Sequence, residues 1–105
     1  MSLPRILAER WAEILKGVLA EIVLDGPALG IRVTTTGEGT TAFTVHAAAC
    51  DYSRIIGAHG QMLHALIVLT RAYGGRHGTS ATVQMARGAG DPAVLARRAR
   101  KIAAR

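Results

Sequence analysis

A chain of 105 residues with a formal charge of +6 is most simply one domain with a modest core. Half of it is apolar, yet no apolar run approaches the roughly 20 residues a membrane-spanning helix needs. The N-terminus lacks a basic region followed by an uninterrupted apolar one, so a cytosolic protein is expected, and the single cysteine, Cys50, rules out an internal disulfide and fits a reducing compartment.

Leu3 to about Val23 is predicted to form the first helix, with Pro4 suited to its first turn. Leu7, Trp11, Ile14, Leu15, Val18 and Ile22 recur at spacings of three and four and make one apolar face. Asp25-Gly26-Pro27 then stops the helix, because proline disfavours helical geometry in the residue before it and glycine is a common terminator. Residues 31–47 read as a hairpin: "IRVTTT" is rich in β-branched residues, "GEGT" is the turn, and "TAFTVHA" alternates with Phe43 and Val45 on one face. A short helical piece ends at Ile55-Ile56, and a longer helix is expected from Gln61 to about Tyr73, closed by Gly74-Gly75. Leu63, Leu66, Ile67 and Thr70 form its inward stripe, while Met62, Ala65 and Leu69 make a second apolar strip, as if the helix were covered on two sides. "TSATVQMA" is a final strand in which Ala81, Val83 and Met85 alternate. Asp91-Pro92 supplies a cap and a first-turn proline for a terminal helix over residues 92–104. With Trp11, Phe43, Tyr52 and Tyr73 as the only aromatics, the core has to be aliphatic.

The charge is unevenly placed. From Arg87 onward six basic residues (Arg87, Arg97, Arg98, Arg100, Lys101, Arg105) stand against Asp91, whereas seven basic and six acidic residues precede them. A nearly neutral body with a basic tail points to a polyanion, most often nucleic acid, the other reading being a helix kept for solubility. On a helical projection Arg97, Lys101 and Arg105 stack at spacing four with Arg98 beside them. Like charges so placed repel by a few tenths of a kcal/mol per pair, so the helix calls for an anion such as phosphate. Leu95 and Ile102 give too small an apolar face for membrane insertion.

Between the last two helices of the body lies "IIGAHGQML", in which Gly57 and Gly60 interrupt an apolar pattern that resumes at helical spacing. One account is a tight turn whose backbone angles only glycine adopts readily. The other is a backbone stripped of side chains so that a phosphate can lie against it, facing the N–H groups that open the Gln61 helix.

This segment resembles the signature of the K-homology (KH) domain: a short apolar pair, Gly-x-x-Gly, and an apolar residue three positions on, here Leu63. The element order, α-β-β-α-α-β, resembles the bacterial type II arrangement, and residues 3–86 are similar to the single-domain KH RNA-binding proteins of the KhpA type, with residues 87–105 as a basic linker and terminal helix. The resemblance implies an α+β fold with a three-stranded sheet packed against helices. It also implies single-stranded RNA binding through Gly57, Ala58, His59, Gly60 and Gln61, as an RNA chaperone or post-transcriptional regulator. Ile56, Leu63 and Val45 are candidate groove walls, with plain core packing as their other reading. KH loops often carry a lysine or arginine between the glycines, where this chain has Ala58 and His59; a histidine can donate one hydrogen bond or stack on a base. Arg54, one turn before the loop, could supply the missing charge, with Arg71 and Arg76 flanking the groove and Arg97, Arg98, Lys101 and Arg105 as auxiliary phosphate contacts. The KhpA type is also associated with self-dimers and with a second KH-bearing protein. The alternative function is therefore an interaction module that dimerises or docks on such a partner, with weak RNA binding or none.

Chemistry of other kinds finds little support. His46, His59, His64 and His77 with Cys50 do not complete a zinc set, no nucleophile signature or paired carboxylates are present, and no Lys-Ser or Lys-Thr follows the second glycine as nucleotide hydrolysis would need. The sequence implies neither an enzyme nor a cofactor or metal.

Overall fold

The computed structural model describes residues 2–86, so the terminal helix expected over 92–104 and its basic residues lie outside the described residues. Helix α1 spans Arg5–Ala20, with Pro4 at its N-cap, and its backbone hydrogen bonding carries on to Val23, close to the predicted end. Asp25 then caps a single 3₁₀ turn, its Oδ1 accepting the Ala28 N–H. Strands β1 (Gly30–Thr35) and β2 (Thr41–His46) pair antiparallel, with Ile31 opposite Val45 and Val33 opposite Phe43. The tip is closed by the Thr36 N–H donating to the Thr40 carbonyl, by the Thr40 N–H donating to the Thr36 hydroxyl, and by Gly39 at φ 87°.

Strand β3 (Ala81–Met85) pairs with the other side of β2 in parallel, giving a mixed sheet in the order β1-β2-β3. A parallel neighbour cannot be reached by a hairpin; the chain must cross over one face of the sheet. That crossover holds helix α2 (Tyr52–Ile56), the glycine turn and helix α3 (Gln61–Arg76). The rows Ile31–Val45–Met85 and Val33–Phe43–Val83 face the helices, while Arg32, Thr44 and Gln84 form a polar row on the far side, with the Gln84 amide donating to the Thr44 hydroxyl. The core is mainly aliphatic: Leu15, Leu19, Leu29, Val45, Ile55, Leu66 and Val83 cluster with the fully buried Phe43.

Two helical expectations are corrected. Of the stripe predicted for α1, Leu15 is buried and Leu7, Trp11 and Ile22 pack against the core, but the most deeply buried positions of the helix are Ala8, Leu15 and Leu19, and Ile14 and Val18 are left 45% and 49% exposed. Periodicity marks an apolar side of a helix but not which part of it meets the sheet. Helix α3 does not stop at Gly74-Gly75 but runs to Arg76. A Cβ on Gly74 would lie 2.9 Å from the Ala81 Cβ and 3.0 Å from the Thr79 carbonyl oxygen, so this glycine serves the close approach of α3 to β3 and not helix termination.

The two long helices are joined by polar and aromatic contacts. The Trp11 Nε1–H donates to the buried Thr70 hydroxyl at 3.0 Å, the Tyr73 hydroxyl donates to the Leu7 carbonyl, and the Trp11 and Tyr73 rings stack with centroids 4.6 Å apart. Leu7 thus meets Tyr73 while Trp11 reaches Thr70, so the helices run antiparallel.

Candidate nucleic-acid interface

The glycine turn is built by α2 ending abruptly. The Gly57 N–H closes on the Ser53 carbonyl, after which Gly57 takes φ 79°, His59 φ 54° and Gly60 φ 74°. The Gly60 N–H bonds the Gly57 carbonyl and the Gln61 N–H bonds that of Ala58, so the turn is internally tied. His59 is the one non-glycine at positive φ among the described residues. That conformation costs an L-residue about 1–2 kcal/mol and is worth explaining by function. Ala58 and His59 are exposed, and α3 begins at Gln61 with neither a side-chain cap nor an acidic residue in its first turn, so no carboxylate competes for its leading N–H groups.

The two glycines serve different needs. A Cβ on Gly57 would lie 2.8 Å from the Met62 Cβ and 2.9 Å from the Met62 nitrogen, so its bareness lets the turn fold onto the start of α3. A Cβ on Gly60 would meet nothing within 4 Å, so this is the glycine whose missing side chain leaves open surface. Alanine at Gly57 should therefore cost more than the 1–3 kcal/mol typical of overpacking, since strain is added to the clash, whereas alanine at Gly60 should cost about 1–2 kcal/mol from strain alone. Urea unfolding of the two variants would decide the matter, and equal losses would show that the Met62 contact is not limiting.

Around the turn, the structure sorts the sequence candidates. Gln61 is exposed, Ile56 is half-buried, and Leu63 is half-buried against the core. Val45 is corrected: at 0% exposure on the inner face of β2 it is core and cannot wall a groove. Arg54 is exposed on α2, and Arg71 and Arg76 are exposed on α3. Arg97, Arg98, Lys101 and Arg105 lie outside the described residues. A cleft of about 450 Å³ at the start of α1, lined by Leu3, Arg5, Ala8, Glu9, Val33, Thr35 and Thr41, shares no residue with the turn.

Sequence reasoning assigned no role to Asp51. It stands just before α2, yet its side chain makes no capping bond there. Its carboxylate is completely buried and accepts the N–H of Leu24 at 2.8 Å and of Asp25 at 3.0 Å, partners 27 and 26 residues away that no local pattern reveals. The Leu24 N–H is the main influence holding this carboxyl below the usual carboxylate range; burial pushes the other way, and the Asp25 N–H, the Arg54 guanidinium and the Cys50 thiol add to the lowering. With a folded pKa below the unfolded one, the stabilisation is present above the ordinary carboxylate range and is lost only as pH falls through the lowered value. The turn after α1 is thereby tied to the base of α2, three residues before Arg54 and six before Gly57.

With this geometry in view, the comparison with protein families is decisive: residues 12–85 match the model of the KhpA/KhpB KH domain. The chain belongs to that family. Its α-β-β-α-α-β order and mixed three-stranded sheet are the type II KH fold. No curated protein and no solved structure matches the chain. Membership in the KhpA/KhpB family supports a function class, RNA binding or interaction through the KH domain. No helix among the described residues is long and apolar enough to cross a membrane.

Proposed function

We propose that this KH domain binds single-stranded RNA at the glycine turn, acting in a bacterial cytosol as an RNA chaperone or post-transcriptional regulator without catalysis. The observation that carries the proposal is the turn itself: an exposed Ala58-His59 pair with His59 held at positive φ, an open surface at Gly60, and an α3 N-terminus without a side-chain cap. A phosphate seated there meets N–H donors and the positive end of the helix dipole. Gln61 and Arg54 supply polar contacts beside it, Ile56 and Leu63 an apolar wall for a base, and the basic tail sequence-independent phosphate contacts. Crosslinking in cells followed by sequencing of the bound RNA tests the proposal; recovery of RNA no higher than from an Ala58→Asp/His59→Asp variant would reject it.

One observation favours a second, compatible reading as an interaction module. Ile14 and Val18 lie on the edge of α1 that carries Leu7 and Trp11, and Ala65 and Leu69 on the edge of α3 that carries Tyr73. The antiparallel contact of the helices brings these edges together as an apolar seam, and Leu69 is 55% exposed. Of the second strip predicted for α3, Met62 packs on the core while Ala65 and Leu69 face outward. A second copy, or the KH domain of a partner, would cover this seam. A dimer is expected at micromolar concentration by light scattering, and Leu69→Glu should return the monomer mass with little change in thermal stability. A wild-type monomer across that range would leave a different KH-bearing partner as the occupant.

A further inference from the structure

We propose that Asp51 is a positioning residue for RNA binding, its buried carboxylate anchoring the Arg54 guanidinium so that the outer nitrogens of that arginine meet a phosphate beside the glycine turn. The inference rests on the RNA-binding reading above. Both Asp51 oxygens are tied to backbone N–H groups, Oδ1 to Leu24 and Oδ2 to Asp25, so the negative charge has a fixed place in the fold. Arg54 approaches that charge through Nε, 3.9 Å from Oδ1, while its side chain is 49% exposed. At that distance the pair is an attraction and not a hydrogen bond, a restraint on where the guanidinium dwells. A guanidinium held from its Nε side keeps its two terminal nitrogens for a second anion, which a lysine's single ammonium group could not do. A five-residue helix sets Arg54 one turn from Gly57, within reach of a phosphate neighbouring the one in the turn.

Two explanations for Asp51 predict opposite or distinguishable results. Long-range electrostatics alone makes a carboxylate near RNA unfavourable, so Asp51→Asn should tighten binding. A purely structural role would shrink the folded fraction, weakening binding equally at every salt concentration and leaving the salt dependence unchanged. Positioning predicts that Asp51→Asn weakens binding and also makes its salt slope shallower by roughly 0.7, the value of one phosphate contact on a single strand, although Arg54 keeps its charge.

The experiment titrates a short fluorescein-labelled single-stranded RNA pool of random sequence against wild type, Asp51→Asn, Arg54→Gln and the double variant over a range of salt. Arg54→Gln should lose the same slope increment as Asp51→Asn, and the double variant no more than either. A wild-type slope or tighter binding in Asp51→Asn overturns the inference. Because Asp51 is buried and its variant can fail to fold, the free wild-type protein gives an independent test: the Nε–H group of Arg54 should be more ordered by NMR relaxation than those of the exposed Arg10, Arg71 and Arg76. Equal mobility overturns the inference whatever the variant does. Failure of wild type to bind the RNA at all overturns both the functional reading and this inference, whereas binding that is lost in Ala58→Asp/His59→Asp but indifferent to Asp51 overturns this inference alone.

Discussion

Ala58→Asp/His59→Asp should lower RNA affinity at least tenfold, about 1.4 kcal/mol, with almost no change in folding stability. Both side chains are exposed, so neither contributes packing that aspartate would remove. His59 sits at φ 54° and ψ 23°, a left-handed conformation in which aspartate is found several-fold more often than most residues, so the turn should keep its shape. The glycines are untouched, and Gly57 stays packed on Met62. What changes is charge: two carboxylates would occupy the place proposed for an RNA phosphate, each repelling it by about 1 kcal/mol at 4 Å even in bulk water. Fluorescence anisotropy with labelled single-stranded RNA, alongside thermal unfolding, separates the two effects. Wild-type affinity in a folded variant would remove the turn from the mechanism.

Truncation at Gly90 should flatten the salt dependence of RNA binding by about 3 on a log–log scale, if Arg97, Arg98, Lys101 and Arg105 each neutralise one phosphate at roughly 0.7 per contact. Over a fourfold change in salt this amounts to about a fiftyfold difference in how much affinity is lost. Phosphate contacts carry no base information, so the truncated protein should weaken on all RNA sequences by a similar factor and preserve their ranking. Equal slopes for the full and truncated proteins would assign the tail to solubility and leave the turn, with no lysine or arginine between its glycines, to account for the affinity. A change of ranking would contradict the division of labour between tail and turn.

The sequence by itself determined the order of the elements and the place of the glycine turn. Alternation in "TAFTVHA" and "ATVQM" settles which strand residues face the core, because successive side chains point to opposite faces whatever surrounds them. The glycine pair between two helical patterns was legible for a similar reason: positive φ is a local requirement that few other residues meet. Only the tertiary structure decided matters that depend on what lies across from a residue. Ile14 and Val18 read as core from their spacing and prove to be surface, since a helix shows its apolar side in sequence but not its partner. Gly74 reads as a terminator and proves to be a contact with Ala81, and Val45 reads as a groove wall and proves to be core. Gly57 and Gly60 look equivalent in the motif, yet one is bare to admit Met62 and the other faces open space. Asp51 has no role that the sequence displays; its bonds to Leu24 and Asp25 exist only because folding brings the turn after α1 against the start of α2, and a hydrogen bond spanning that much chain leaves no periodicity for a sequence to display.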